Sequence, residues 1–292
     1  MAIFQKAYKG YNGPITPLWE RTFVIFRYAL ADVFRSRLFA GFFAICFLLP
    51  LALISGLYAY HNLDLLLQFQ VDINDLDVID GNAFAIMMQV PQLFLIFIMV
   101  MALGPAMISP DLRNNAMPLY LSRPINKASY IVGKLLVLVV LGSLISWIPA
   151  MLLVAIQGYL AGDGWLLENL HIPFAAFATS MVWIVCLSLI AFTISSFVQW
   201  KAVGRIAFFM VISMGSTVGE VFQDIFGGWG GQMLNVNAAM QTVLVELYQT
   251  ESSQIGIRAD MPLGPAMLAL LLISAIAVII LSRRIRAYQV VS

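Results

Sequence analysis

Apolar residues in this chain run on where a soluble helix or strand would interrupt them. Five stretches, 38–60, 87–108, 135–160, 172–197 and 261–282, carry no Asp, Glu, Lys or Arg. A helix rises about 1.5 Å per residue, so each is long enough to cross about 30 Å of hydrocarbon. There only closed backbone hydrogen bonding survives, which makes these stretches helices. A sixth stretch is shorter, because 206–219 lies between Arg205 and Glu220. An arginine near a span end can snorkel, which lets this helix run over about 202–222.

The flanking charges test the count, since Lys and Arg gather on the cytoplasmic side of membrane helices. Six spans with an inside N-terminus place fifteen basic residues inside and only Arg258 outside. Removing the weak fifth span would send Arg283, Arg284 and Arg286 outside and bring Glu246 and Glu251 inside. Six spans with both termini cytoplasmic therefore fit best. The expected fold is an all-α integral membrane protein: residues 1–37 form a cytoplasmic N-terminus with an amphipathic elbow helix, and 38–292 form one six-span domain.

Between the spans the pattern changes period. On a wheel of about 100° per residue, Trp19, Phe23, Phe26, Leu30, Val33 and Phe34 share a face, with Glu20, Arg21, Asp32 and Arg35 turned away. This predicts an interfacial helix, either an elbow that touches a cytoplasmic partner or a plain membrane anchor. In the outer segment, Val236, Met240, Val243, Leu244 and Leu247 follow a Gly-rich break at helical spacing, predicting a helix against the outer membrane face or the bundle. The first outer loop, 61–81, holds Asp64, Asp72, Asp75, Asp77 and Asp80 without ligand spacing, and reads as a solvated loop or a cation-attracting mouth.

Composition agrees with the pattern: 61% of the 292 residues are hydrophobic and 11% charged, against roughly 25% charged in a soluble domain. Sixteen basic and fifteen acidic residues leave no global charge that calls for nucleic acid. Cys46 and Cys186 sit inside apolar runs and read as small buried hydrophobes. No cleavable leader is expected, because the first apolar run is long and lies behind a charged segment.

Candidate chemistry is sparse. The one Gly-Lys pair, Gly133 and Lys134, is followed by Leu135, so the phosphate-cradling loop of an ATPase is not written here. His61 and His171 stand apart at outer span ends, without the paired His and Glu of a metalloprotease helix. The five clear spans hold no ionisable group of the kind an intramembrane enzyme or proton-coupled carrier uses. Gln89, Gln92 and Gln157 are the polar residues available to face a cavity or to join helices.

The loop after the second span is the informative one. Ser109 suits an N-cap, Pro110 the first helical position and Asp111 the positive end of a short cytoplasmic helix. Pro118 disturbs that helix and Pro124 stops it, leaving Leu119, Tyr120 and Leu121 as apolar anchors beside Arg113 and Arg123. An ordinary basic connection between spans is the simpler reading of the same residues.

At these residues the chain resembles the type 2 permease family of ATP-binding-cassette transporters. The match is Asp111 with Arg113, Leu119 with Leu121, Ser122 with Pro124, then Gly133 and Lys134. It departs from the family in carrying Asp111 for Glu and Asn115-Ala116 for a Gly-Thr pair. The resemblance implies that Asp111, Leu112, Arg113, Leu119, Tyr120, Leu121, Arg123 and Pro124 dock and couple to a separate ABC-type ATPase subunit. It also implies that Trp19, Phe23, Phe26 and Arg27 belong to the elbow. The chain would bind no cofactor itself, ATP and magnesium residing in the partner. It would pair with a second permease copy, identical or related, in the lipid of the cytoplasmic membrane, and serve as an exporter rather than an enzyme. An alternative within the same class is a complex that drives a periplasmic partner or an assembly process.

Overall fold

The structure is a computed structural model that describes residues 17–62, 81–114, 116, 126–162, 164–250 and 261–285. Among these residues the regular elements are all helical, and six are long and apolar enough to cross a membrane. The chain is thus built as a multi-pass membrane protein.

Helix α1, Leu18–Phe34, precedes the first span, which is divided into α2, Arg37–Ile45, and α3, Leu48–Tyr60. Ser36 caps α2 by accepting the Phe39 N–H. The second span opens with a π-helical turn, Phe84–Gln89, and continues as α4, Val90–Arg113. The third comprises α5, Lys127–Ile145, and α6, Trp147–Ala161. The break falls at Ser146 because Pro149 has no N–H to offer the Ile145 carbonyl, and the Ser146 hydroxyl turns back to the Gly142 carbonyl at 2.7 Å. The fourth span is α7, His171–Ser195, and the fifth is α8, Lys201–Phe226. Helix α9, Val236–Tyr248, leads to the last span, α10, Leu263–Arg284.

The fourth span forms the centre of the bundle, in contact with the second, third, fifth and sixth spans and with α9. Lipid offers helices little hydrophobic reason to associate, so close backbone approach has to supply the contact. Gly104 allows it: a Cβ there would stand 2.6 Å from the Ala191 Cβ. Contacts between the second and fourth spans keep nearly constant register, Gln89 to Ser180 and Leu93 to Trp183, ending with Ser109 to Ser195, the separation drifting only from 91 to 86 residues. The two therefore run parallel. The fifth span crosses the second in the opposite direction, with Phe208 beside Phe97 and Arg205 bonded to the Ala102 carbonyl.

This alternation gathers the described span-flanking cations, Arg37, Arg113, Lys127, Lys134, Lys201, Arg205, Arg283 and Arg284, at one end, called the basic end below. Glu168, Glu220, Asp224 and Glu246 lie toward the other. Helix α9 packs against the bundle through Val236, Met240, Val243 and Leu244, as the spacing allowed. The fifth span is longer than 202–222, running from Lys201 to Phe226, because hydrogen bonding continues through Glu220 and Asp224 on its exposed side.

Helix α1 exists, but its apolar residues divide. Val33 and Ile25 are buried, and Phe26 and Leu30 pack on the core, whereas Trp19, Phe23 and Phe34 stay exposed. The start expected for the loop helix is also corrected. Ser109, Pro110 and Asp111 occupy the last turns of α4 and do not begin a new helix. Leu112 and Arg113 belong to α4 as well, and residues 117–125 lie outside the described residues.

Candidate functional site

The basic end is organised around a buried ion pair. The Lys134 ammonium donates to the Asp111 carboxylate at 2.5 Å and to the Met107 carbonyl, and the Tyr130 hydroxyl donates to the same carboxylate oxygen at 2.6 Å. Asp111 sits in the last turn of the second span, while Tyr130 and Lys134 are one turn apart at the start of the third. The two helix ends that bracket residues 114–126 are therefore tied together. Burial forbids either charge to stand alone, so the pair acts as one unit.

Gly133 completes this arrangement from the other side. A Cβ there would lie 3.0 Å from Ile25 and 3.0 Å from the Thr22 carbonyl, so glycine is what lets α1 rest on the third span. The neighbouring positions Gly133 and Lys134 thus serve two contacts, one to α1 and one to the second span.

A second device lies one turn deeper. The Ser109 N–H donates to Ser195 Oγ at 2.9 Å, and Ser195 Oγ donates to the Pro105 carbonyl at 3.0 Å. The fourth-span hydroxyl thereby bridges the donor and acceptor that one helical turn of the second span would join directly. Pro105 and Pro110 each remove an N–H from that segment, and the Arg205 side chain bonds the Ala102 carbonyl at 3.0 Å. Side chains of the fourth and fifth spans thus add hydrogen bonds to the proline-bearing segment.

At the far end, Tyr248 of α9 donates to Gln89 Oε1 at 3.0 Å, and Gln89 Nε2 donates to Ser180 Oγ at 3.0 Å. Burial pushes the Tyr248 phenol up, so it remains a neutral donor. Gln157 meets His61 at 3.0 Å. Both amides act as helix-to-helix links. Gln92 is fully buried with its carbonyl oxygen unpaired, and its role has no account in the packing.

Of the residues singled out in the sequence, Asp111, Leu112 and Arg113 lie together at the end of α4, with Arg113 stacked 4.2 Å from the Trp200 ring centroid. Leu119, Tyr120, Leu121, Arg123 and Pro124 lie outside the described residues. Trp19, Phe23 and Arg27 are exposed on α1, and Phe26 stacks obliquely on Phe23 with ring centroids 5.5 Å apart. Sequence reading missed Tyr130, Ile25 and Ser195. A tyrosine one turn before Lys134 was the available signal for the first, whereas Ser195 had none, being one of three neighbouring hydroxyls, with Thr193 and Ser196, in an apolar run.

No protein-family model and no curated protein sequence matches this chain.

Proposed function

We propose that this chain is the permease subunit of an ATP-driven transporter of the type 2 ATP-binding-cassette kind, with the basic end in the cytoplasm. Two copies, identical or related, would form the pathway in the cytoplasmic membrane, and a separate ATPase would hydrolyse ATP with magnesium. Export is the direction we assign.

One observation carries the reading. Of the motif positions that flank the loop, Asp111 on one side meets Lys134 on the other, and the adjacent Gly133 rests against α1. A push on residues 114–126 is transmitted through the ion pair to the second and third spans and through Gly133 to α1. That is what a coupling element requires: packed elements that shift together between two arrangements. Leu119, Tyr120 and Arg123 in that loop are the anchors assigned to the ATPase groove.

The test is to purify the tagged chain from its native membrane in mild detergent and identify what accompanies it. A companion ATPase is the expected result. Tyr120→Asp should then reduce its recovery, or its coupled transport, by about tenfold or more, the scale of losing a central interface anchor. Recovery of the intact chain without any ATPase, or unaltered coupling in Tyr120→Asp and in a Leu119→Ala, Arg123→Ala double variant, would overturn it.

A further inference from the structure

The basic end also carries a surface apart from the ion pair. The short connection between the fourth and fifth spans, residues 196–200, exposes Phe197 and Trp200. Each ring holds a guanidinium from another span: Arg113, the last residue of the second span, lies 4.2 Å from the Trp200 centroid, and Arg284, the last residue of the sixth, lies 5.1 Å from Phe197. Arg284 Nε spends one donor on the Ser196 carbonyl at 3.5 Å. Lys201 and Arg283 are exposed beside them. Among the described residues, none of these cations has a carboxylate partner, the only ion pair being Lys134 with Asp111.

Stacking on an aromatic face orients a guanidinium without consuming its N–H donors. Two such groups, held at the ends of four spans, leave donors and positive charge facing outward. The complement is an oxyanion. What lies next along the fifth span gives the rest of the ligand: Val203, Met210 and Met214 are exposed and, spaced at i, i+7 and i+11, share one face that begins a turn beyond Trp200. A charged head at the end of an apolar, lightly buried span is where an amphiphile finds partners for both its head and its chains.

We propose that Arg113, Phe197, Trp200 and Arg284 form a binding site for the phosphate headgroup of an anionic phospholipid, whose acyl chains lie along Val203, Met210 and Met214. Basic pockets between span ends are suited to such headgroups. The site ties the ends of the second, fourth, fifth and sixth spans through one lipid, and it does not rest on the transporter reading.

The experiment uses the full-length purified chain in mild detergent, exposed in turn to phosphatidylglycerol and phosphatidylcholine, with retained lipid measured by native mass spectrometry. Phosphatidylglycerol should be retained at least tenfold more strongly. The pair Arg113→Gln, Arg284→Gln should lose about fivefold per cation removed, and Arg113→Lys, Arg284→Lys should fall between, because ammonium keeps the charge but not the planar stacking. The Lys pair also serves if the Gln pair does not stay monodisperse. Arg35→Gln with Arg37→Gln, at the elbow, should leave retention unchanged. Equal retention of both lipids, an equal loss in the elbow pair, or no loss in either patch variant would overturn the site. Unchanged lipid retention together with loss of a co-purifying protein would reassign the patch to protein docking and overturn it as well.

Discussion

A lysine that reads as the flank of a membrane span is, in the folded chain, among its most constrained residues. Lys134 is 8% exposed and reaches both Asp111 and a main-chain carbonyl of the second span. Removing one partner of a buried pair strands the other charge, which costs about 3–5 kcal/mol, whereas replacing both by apolar groups of similar size is often neutral. Asp111 keeps some solvent contact, its side chain being 18% exposed, so about 2–3 kcal/mol is expected for Lys134→Met. Lys134→Met combined with Asp111→Leu should recover much of that loss. Thermal unfolding of the three variants in detergent measures it, and strictly additive losses would show that the two residues do not act as a unit. The carboxylate was legible in the sequence as a motif position, but it lies at the end of a helix and not at the start of one. Helix-start signals such as Ser-Pro-Asp describe local preference, and here the second span continued through them because Ser195 and Arg205 supply hydrogen bonds from neighbouring helices.

At the scale of the element, α1 depends on a single glycine for its seat. Its helical period was plain from Trp19 to Phe34, but the wheel could not say which apolar side chains meet protein and which meet lipid. The structure gives Ile25 and Val33 to the bundle and leaves Trp19 and Phe23 outside. With Ile25 already at 3.0 Å from a Cβ placed on Gly133, Gly133→Leu has no room unless the helix lifts away. We expect Gly133→Leu to expose α1 to limited proteolysis near Arg27 while the spans stay folded, and Gly133→Ala to show a weaker form of the same effect. Protection identical to the parent in both variants would remove the contact from the account of coupling. The interior prolines behave in the opposite way. Pro110 looked like a helix start, yet the second span carries both it and Pro105 inside one continuous helix.

For the whole molecule, the alternating direction of the spans and the gathering of cations at one end give a definite expectation in the membrane. With the basic end inside, cysteines introduced at Asp75 and Gln254 should label from outside intact cells, and those at Ser122 and Ser292 only after permeabilisation. External labelling of Ser292 in intact cells would reverse the assignment. The bundle's uneven burial matters at this scale too. The third and fourth spans are 61% buried over their most apolar stretch, the first only 17% and the fifth and sixth 22%. Lightly buried spans are the surfaces left for lipid and for other chains.

The number of spans, their helical nature and the position of helix α9 in the chain followed from the sequence alone. Hydrocarbon thickness and the need to close backbone hydrogen bonds translate directly into run length, and flanking charge translates into direction. Which helices touch, and through which atoms, was a matter for the tertiary structure. Contacts such as Gly104 with Ala191, Ser109 with Ser195 and Lys134 with Asp111 join residues far apart in the chain, through small or single polar groups that leave no periodic trace. A hydrophobic run records that a helix is in the membrane, but each face of that run is apolar, so only packing distinguishes the face that meets protein from the face that meets lipid.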